Sequence, residues 1–531
     1  MPSDPGTTAG WLSVLPPLIA IGLALATRQV ILSLLLGVWV GLTILAGGNP
    51  LTAFLTLADT TLVDAVADRS HAAILLFSLC LGGMVGVLAR CGAADGVARL
   101  LASRLRDRRG AQTATAGLGL AIFFDDYANT LLVGNTMRPL TDRLRVSREK
   151  LAWLVDSTAA PVATLAVIST WIGFEVGLIQ DALTRLGQEG SGYLFFLRAL
   201  PYNFYPALTL VFVFLITGTG RDFGPMARAE KRAWSTGQLV EPGAQPASAA
   251  EQLMDADTPP ASPWLAAVPI LAVILVTVGG LWWNGRAALL ADGAAGFGLR
   301  EIFNAADSLA VLMWASVGGS LLAGALAAAA TPLSVTDTAA AWVDGVRAMA
   351  IAMVILVLAW SLGGTCEALG TGPWLVDAVR DLLSARLLPV IVFLLASLVS
   401  FATGTSWGTM AILIPIVIPL GHALPEGAGL APELAESILL ASVSAVLAGA
   451  VFGDHCSPIS DTTIMSSMAA GSDHVDHVRT QMPYAAVVGG VAVAVGYVPV
   501  GWGMNPWLAL LLGAAVLAAV VRLLGRPVEA P

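Results

Sequence analysis

The sequence predicts an all-α polytopic membrane protein of about 11 spanning helices, arranged as two inverted repeats that each hold a re-entrant helical hairpin and a Pro-interrupted helix. Three observations carry this expectation. Of 531 residues, 56% are hydrophobic and only 12% charged, and the mean hydropathy is +0.79, a composition suited to lipid. Apolar runs long enough to span a bilayer recur from end to end. Polar motifs inside those runs recur in the same order in both halves, with the flanking charge inverted.

Runs of about 20 apolar residues, the length of a bilayer crossing, lie at 11–26, 29–47, 72–92, 149–178, 198–217, 263–284, 306–330, 346–370, 434–470, 482–502 and 506–523. The first has no basic stretch before it and no small-residue cleavage pattern after it, so it reads as a retained helix and not a signal peptide. Residues 217–262 are rich in Gly, Pro, Ala, Glu and Arg and read as a solvent-exposed linker. The division that follows is a first repeat over 1–217, a cytoplasmic linker over 218–262, a second repeat over 263–502, and a C-terminal helix and tail over 503–531. The net charge of −9 sits in loops, and no basic domain points to nucleic acid. Cys80, Cys91, Cys366 and Cys456 lack C-x-x-C spacing and read as buried, unpaired thiols.

Two further apolar stretches behave differently. Arg99, Arg104, Arg106, Arg108 and Arg109 precede 111–138, and Arg138, Arg143, Arg145, Arg148 and Lys150 follow it. Both flanks favour the cytoplasm, so the segment enters and returns on one side as a hairpin with Asp125 and Asp126 near its tip. On the same count, the helix interrupted in 149–178 crosses outward, 198–217 returns, and the hairpin at 389–420 opens to the outside. The N-terminus then falls outside and Arg522 and Arg526 inside.

Opposite entry implies an inverted repeat. Leu81-Gly82-Gly83, Leu88, Arg99, Leu101 and Ser103 recur at one constant offset as Leu362-Gly363-Gly364, Leu369, Arg380, Leu382 and Ser384. Asn129-Thr130 with Pro139-Leu140 matches Gly408-Thr409 with Pro419-Leu420, and the Asp156–Pro161 stretch resembles Asp454–Pro458. In such folds the binding site lies at the repeat interface near the midplane.

The intramembrane polar residues define the chemistry. Hairpin one contributes Asp125, Asp126, Asn129 and Thr130; the helix interrupted at Pro161 contributes Asp156, Ser157 and Thr164. Hairpin two contributes Thr405, Ser406 and Thr409; the helix interrupted at Pro458 contributes Asp454, Ser457, Asp461 and Thr462. A carboxylate at bilayer depth costs roughly 2.5–3.5 kcal/mol, so the set needs partners or a function. Carboxylates, hydroxyls and carbonyls freed at proline are oxygen ligands, which suit a hard cation such as Na⁺ and not a transition metal. A proton and a cation competing for one carboxylate exclude each other, and exclusive occupancy with alternating access is antiport.

Other roles remain open for several residues. Asp126 alternatively caps the second hairpin arm, and Asp156 the inner half of its broken helix. Glu367 is either a buried ligand or a residue reaching the outer interface, and Glu175 is expected to end its helix near the outer surface. His455, beside Cys456 but without a second His/Cys cluster, fits packing or a hydrogen bond better than a metal site. The Gly82-Gly83 and Gly363-Gly364 pairs read as close packing, and His474 and His477 as parts of a polar inner loop. An intramembrane protease dyad of Asp126 and Asp454 is disfavoured, because Asp126-Tyr127 reverses the Tyr-Asp order and Phe452-Gly453-Asp454 lacks the first Gly of Gly-x-Gly-Asp.

Phe124-Asp125-Asp126-Tyr127-Ala128-Asn129-Thr130 and Phe452–Thr463 resemble the motifs of the NhaC family of bacterial Na⁺/H⁺ antiporters, and the resemblance runs from about residue 72 to 500. It implies a secondary transporter, not an enzyme, in the bacterial inner membrane. Its cargo would be Na⁺ and H⁺ with no cofactor, and its partners lipid and a second copy of the chain. It places the substrate site at Asp125, Asp126, Asn129, Asp156, Ser457 and Asp461. The wider family also includes exchangers of organic acids, of the malate/lactate type, and of amino acids. For that alternative, hairpin two offers backbone N–H groups at a half-helix N-terminus.

Overall fold

The computed structural model describes residues 10–27, 29–93, 107–123, 125–188, 190–244, 246, 261–291, 293, 297–371, 374, 378, 384–458 and 460–528. Arg99, Arg104, Arg106, Phe124 and Arg380 lie outside these residues, as does the side chain of Asp461. Apart from the paired two-residue strands Arg221–Asp222 and Arg526–Pro527, every regular element among the described residues is helical. Eight of the helices are long and apolar enough to cross a membrane, or nine when the bent pair Gly192–Tyr202 and Phe204–Thr219 counts as one span. Shorter apolar helices fall on other expected runs, at Gly10–Ala20, Ile31–Leu45 and Met353–Ala368. Leu275, Leu321 and Leu511 stand about 70% exposed on the peripheral helices, as lipid-facing side chains do.

Hairpin one consists of Arg108–Ala121 and Asp126–Arg143. Its first arm starts at Asp107, whose side chain accepts from the Gly110 N–H. Hairpin two consists of Leu388–Thr403 and Ser406–Gly427. Gly404 (φ +69°) closes its first arm in the left-handed conformation, which a side chain would disfavour, and Thr405 caps the next by accepting from the Gly408 N–H.

Both halves contain an interrupted helix after the hairpin, but the interruptions differ. Where one broken helix was expected over 149–178, the chain forms Arg148–Asp156, the single turn Ala160–Ala163, and Thr170–Arg185. Pro161 lies in the isolated turn, where it has no N–H to offer. Residues 164–169 form no helix, and helix resumes at Ser169, whose hydroxyl accepts from the Trp171 N–H and donates to the Ala163 carbonyl (2.9 Å). In the second half Pro432–Cys456 and Asp461–Ala470 flank a narrow break at Pro458, and Ser460 caps the second piece.

Several helices were not foreseen. Pro50–Ala67 is long and apolar enough to span, despite Asp59 and Asp64. Val335–Ala348 is held by a capping box between Ser334 and Asp337. It packs against Arg69–Arg90, where a Cβ on Gly86 would stand 2.3 Å from the Ala341 carbonyl. The Gly82-Gly83 pair is therefore a packing surface, as expected, whereas Gly364 faces the Arg185 guanidinium.

The 218–262 stretch is not simply solvent-exposed. Gly224–Thr236 is a helix packed against Arg148–Asp156 and His474–Val491. Its Glu230, fully buried, accepts from Arg108 (2.5 Å), Gln112 (3.1 Å) and the Ser147 N–H (2.8 Å). Asp222, also buried, accepts from Lys150 Nζ and the Tyr484 hydroxyl, both at 2.5 Å. The linker thus supplies the counter-charges for hairpin one's basic flank. Composition hid this, because a polar stretch looks the same whether water or buried cations satisfy it.

Breaking one member of a buried ion pair strands its partner. Lys150→Met is expected to destabilise the protein by about 3–5 kcal/mol, and adding Asp222→Asn should recover part of the loss, as read by thermal unfolding in detergent. Equal melting of the single variant and the parent would show that the pair contributes nothing.

Candidate functional site

The predicted polar residues gather around the two helix breaks. Asp126, 1% exposed, opens the second arm of hairpin one, at the positive end of the helix dipole. Asp125 precedes it and accepts from the Thr170 hydroxyl at 2.9 Å. The Thr130 hydroxyl donates back to the Asp126 carbonyl. Asn129 is a clamp: its amide nitrogen lies within donating distance of the carbonyls of Gly119 (2.7 Å), Ile122 (3.0 Å) and Thr158 (2.8 Å), tying the two arms and the tip to the first helix break. Gly119 permits the approach, since a Cβ there would stand 2.1 Å from the Thr158 hydroxyl.

Asp156 joins the halves. Fully buried at the end of Arg148–Asp156, it accepts from Thr463 (3.1 Å), Ser466 (3.3 Å) and the Gln481 amide (2.6 Å). The Thr463 hydroxyl also lies 3.3 Å from the Asp454 carbonyl, and Thr462 donates to the Asp454 carboxylate at 2.5 Å. His455 makes the hydrogen bonds that its lack of metal partners suggested. A carbonyl only accepts, so His455 Nε2–H donates to the Asp156 backbone (3.1 Å), and in the neutral ring Nδ1 accepts from the Tyr205 hydroxyl (2.9 Å).

Two residues of this network were missed or misplaced in the sequence. Gln481, on His474–Val491, donates to both Asp156 and the His455 carbonyl (2.8 Å). His477 is fully buried, not in a polar loop, and its Nε2 lies 3.0 Å from Gln481 Oε1 and 3.9 Å from the Asp156 carboxylate. A Gln and a His four apart on one helix face were the available signal.

The hairpin-two hydroxyls are all engaged with backbone. Thr405 serves as a cap, Ser406 donates to the Ala450 carbonyl (3.2 Å) and Thr409 to the Thr405 carbonyl (3.0 Å). Ser457 donates to the Phe401 carbonyl (2.8 Å), fastening the second break to hairpin two. Trp407 packs against Trp171 and Phe174, ring centroids 5.3 and 4.6 Å apart, so hairpin two reaches the same Thr170–Arg185 helix that meets Asp125. Ser157 is buried in the first break. Asp461 stands at the start of its helix.

One acidic residue departs from expectation and another falls between its two readings. Glu175 does not reach a surface: it is fully buried and accepts from Thr164 (2.7 Å). Glu367 is half-exposed and pairs with Arg185 (2.8 Å). That pair lines a cavity of about 560 Å³ with His71, Asp181 and Trp360. Arg185 also bonds Asp181 (2.9 Å), so a Glu367 ligand role would compete with an ion pair.

Buried carboxylates at two facing helix breaks, surrounded by hydroxyls in a bundle of apolar helices, mark an ion-translocating protein. Comparison with known proteins agrees: the family described as "Na+/H+ antiporter family" matches residues 162–502. The chain belongs to this Na⁺/H⁺ antiporter family. A protein of Haemophilus influenzae recorded as "Uncharacterized protein" is 35% identical to the antiporter over 519 residues, 96% of this chain and 95% of that one. A Bacillus subtilis malate-2H(+)/Na(+)-lactate antiporter is 32% identical over 169 residues, 32% of this chain and 34% of the relative. Among solved structures, the YdaH transporter of Alcanivorax borkumensis shares the fold, with a TM-score of 0.52 at 15% identity, covering 85% of this chain and 90% of that one.

The clamp at the hairpin tip yields a prediction. Asn129→Leu removes the donor to three buried carbonyls at about 1–3 kcal/mol for each group left unsatisfied, so the melting temperature and transport should fall together. Normal melting would show that Asn129 does not hold the tip.

Proposed function

We propose that the antiporter exchanges Na⁺ for H⁺ across the bacterial inner membrane by alternating access. The supporting observation is the Thr463 hydroxyl, which lies between the Asp156 carboxylate and the Asp454 carbonyl and so joins the two helix breaks through oxygen atoms. Carboxylate, hydroxyl and carbonyl oxygens are the ligands that suit a small hard cation. The same carboxylates accept protons, and one site that holds either but not both gives exchange. Asp125, Asp126, Asp156, Asp454 and Asp461 are the proposed acidic groups, with the Thr462 hydroxyl on Asp454 and the Thr463 hydroxyl on Asp156.

We infer that the 218–262 stretch and the C-terminus face the cytoplasm. Arg221 donates to the carbonyls of Arg522 (3.0 Å) and Gly525 (3.1 Å), which supports one side for both. A second reading, cation-coupled exchange of a small carboxylate, is favoured by the B. subtilis relative and by the Thr405-capped half-helix of hairpin two.

Liposomes carrying the protein and a lumenal pH dye separate the two. Under an imposed pH gradient, Na⁺ alone is expected to dissipate the gradient in the parent and to fail in Asp125→Asn. No response until malate or lactate is added would overturn Na⁺/H⁺ exchange in favour of the second reading.

A further inference from the structure

Glu175 belongs to none of the groups assigned above. It lies on Thr170–Arg185, the helix that hydrogen-bonds Asp125 through Thr170 and packs against Trp407 of hairpin two. Its carboxyl is 0% exposed; Oε1 accepts from Thr164 (2.7 Å), and Oε2 has no hydrogen-bond partner. The Trp171 indole N–H, one turn earlier, and the Ser78 hydroxyl, against Gly173, are likewise buried without partners.

Charged groups on the surrounding elements are engaged elsewhere. Asp181, about 9 Å further along the helix axis, bonds His71 of Arg69–Arg90 (3.2 Å) and Arg185 (2.9 Å). Arg185 pairs with Glu367 of Ala350–Ala368. His422 and Glu426 of Ser406–Gly427 lie beside each other, and Arg198 of Gly192–Ala199 pairs with Glu436. Among the described residues, no Lys, Arg or His pairs with Glu175. A fully buried carboxylate with one neutral donor keeps its charge at a cost that a single hydrogen bond does not offset. A merely structural contact to Thr164 would be met as well by Gln.

We propose that Glu175 is a proton carrier of the exchange cycle, resting on the Na⁺/H⁺ reading above. In the conformation seen here the carboxyl is neutral, with the Thr164 hydroxyl donating to its carbonyl oxygen. Thr164 and Thr170 bracket the non-helical 164–169 segment, so a cation drawn to Asp125 shifts the segment that also holds Glu175. The Glu175 O–H bond then breaks heterolytically, its proton leaves to the aqueous side that is open, and the cation compensates the carboxylate left behind. Release of the cation to the opposite side, with reprotonation of Glu175 from that side, completes the cycle.

The test uses the full-length protein in lipid. Infrared spectra in D₂O should show the C=O stretch of a protonated carboxyl that is absent in Glu175→Gln. In liposomes that variant should lose Na⁺-driven proton movement, yet keep the melting temperature and the Na⁺-induced change in tryptophan fluorescence expected of Trp171 and Trp407. Thr164→Val keeps the carboxyl and removes its donor, so it should shift the pH profile of exchange and the infrared band together. An unchanged band in Glu175→Gln, or exchange at the parent's rate and pH profile, overturns the proposal. Should Glu175→Gln not fold, an unmoved band and profile in Thr164→Val overturn it alone. A parent that responds only to organic acids defeats Na⁺/H⁺ exchange instead, while the infrared band still decides whether Glu175 holds a proton.

Discussion

Charge inside a low-dielectric bundle must be compensated, and the antiporter does this in two ways. At one end of the Arg108–Asp156 region, compensation is by opposite charge: Lys150 with Asp222, and Arg108 with Glu230. These pairs are closed, buried and tied to backbone, as a fixed scaffold requires. Around the helix breaks, the donors seen at Asp156 and Glu175 are hydroxyls and an amide, with the His477 ring at a distance. Neutral donors solvate a carboxylate without cancelling its charge, which is the condition the proposed proton and cation exchange requires.

The two halves are joined at the same place. Asp156 from the first half is held by Thr463, Ser466 and Gln481 from the second, while its backbone carbonyl receives His455. Hairpin one packs on the Asp461–Ala470 helix closely enough that a Cβ on Gly134 would stand 2.5 Å from Ala469. The two breaks are therefore linked across the interface through the Asp156 carboxylate. The first half is interrupted by the non-helical 164–169 segment and the second by a narrow break at Pro458.

Much of the site was legible because membrane burial makes polar residues conspicuous. Asp125, Asp126, Asp156 and Asp454 stood out against apolar runs, and all four are buried. Local chemistry was also readable: hairpin two was expected to hold a half-helix N-terminus, and the Ser406–Gly427 helix starts there with Thr405 as its cap. Glu175 was misread because five residues after Thr170 can be a helix end or its middle, and the sequence does not show how far the helix continues. Gln481 was overlooked and His477 misplaced because their importance lies in facing Asp156, more than three hundred residues earlier.

By itself, then, the sequence determined that this is a helical membrane protein with acidic groups at interrupted helices, because hydropathy, proline and caps act over a few residues. Only the tertiary structure decided which acids pair with cations and which meet neutral donors. Arg108 and Lys150 read as flanking charges that orient a hairpin, yet their carboxylate partners come from a stretch that composition assigned to solvent. Compensation of charge is a property of distance in space, and packing sets that distance.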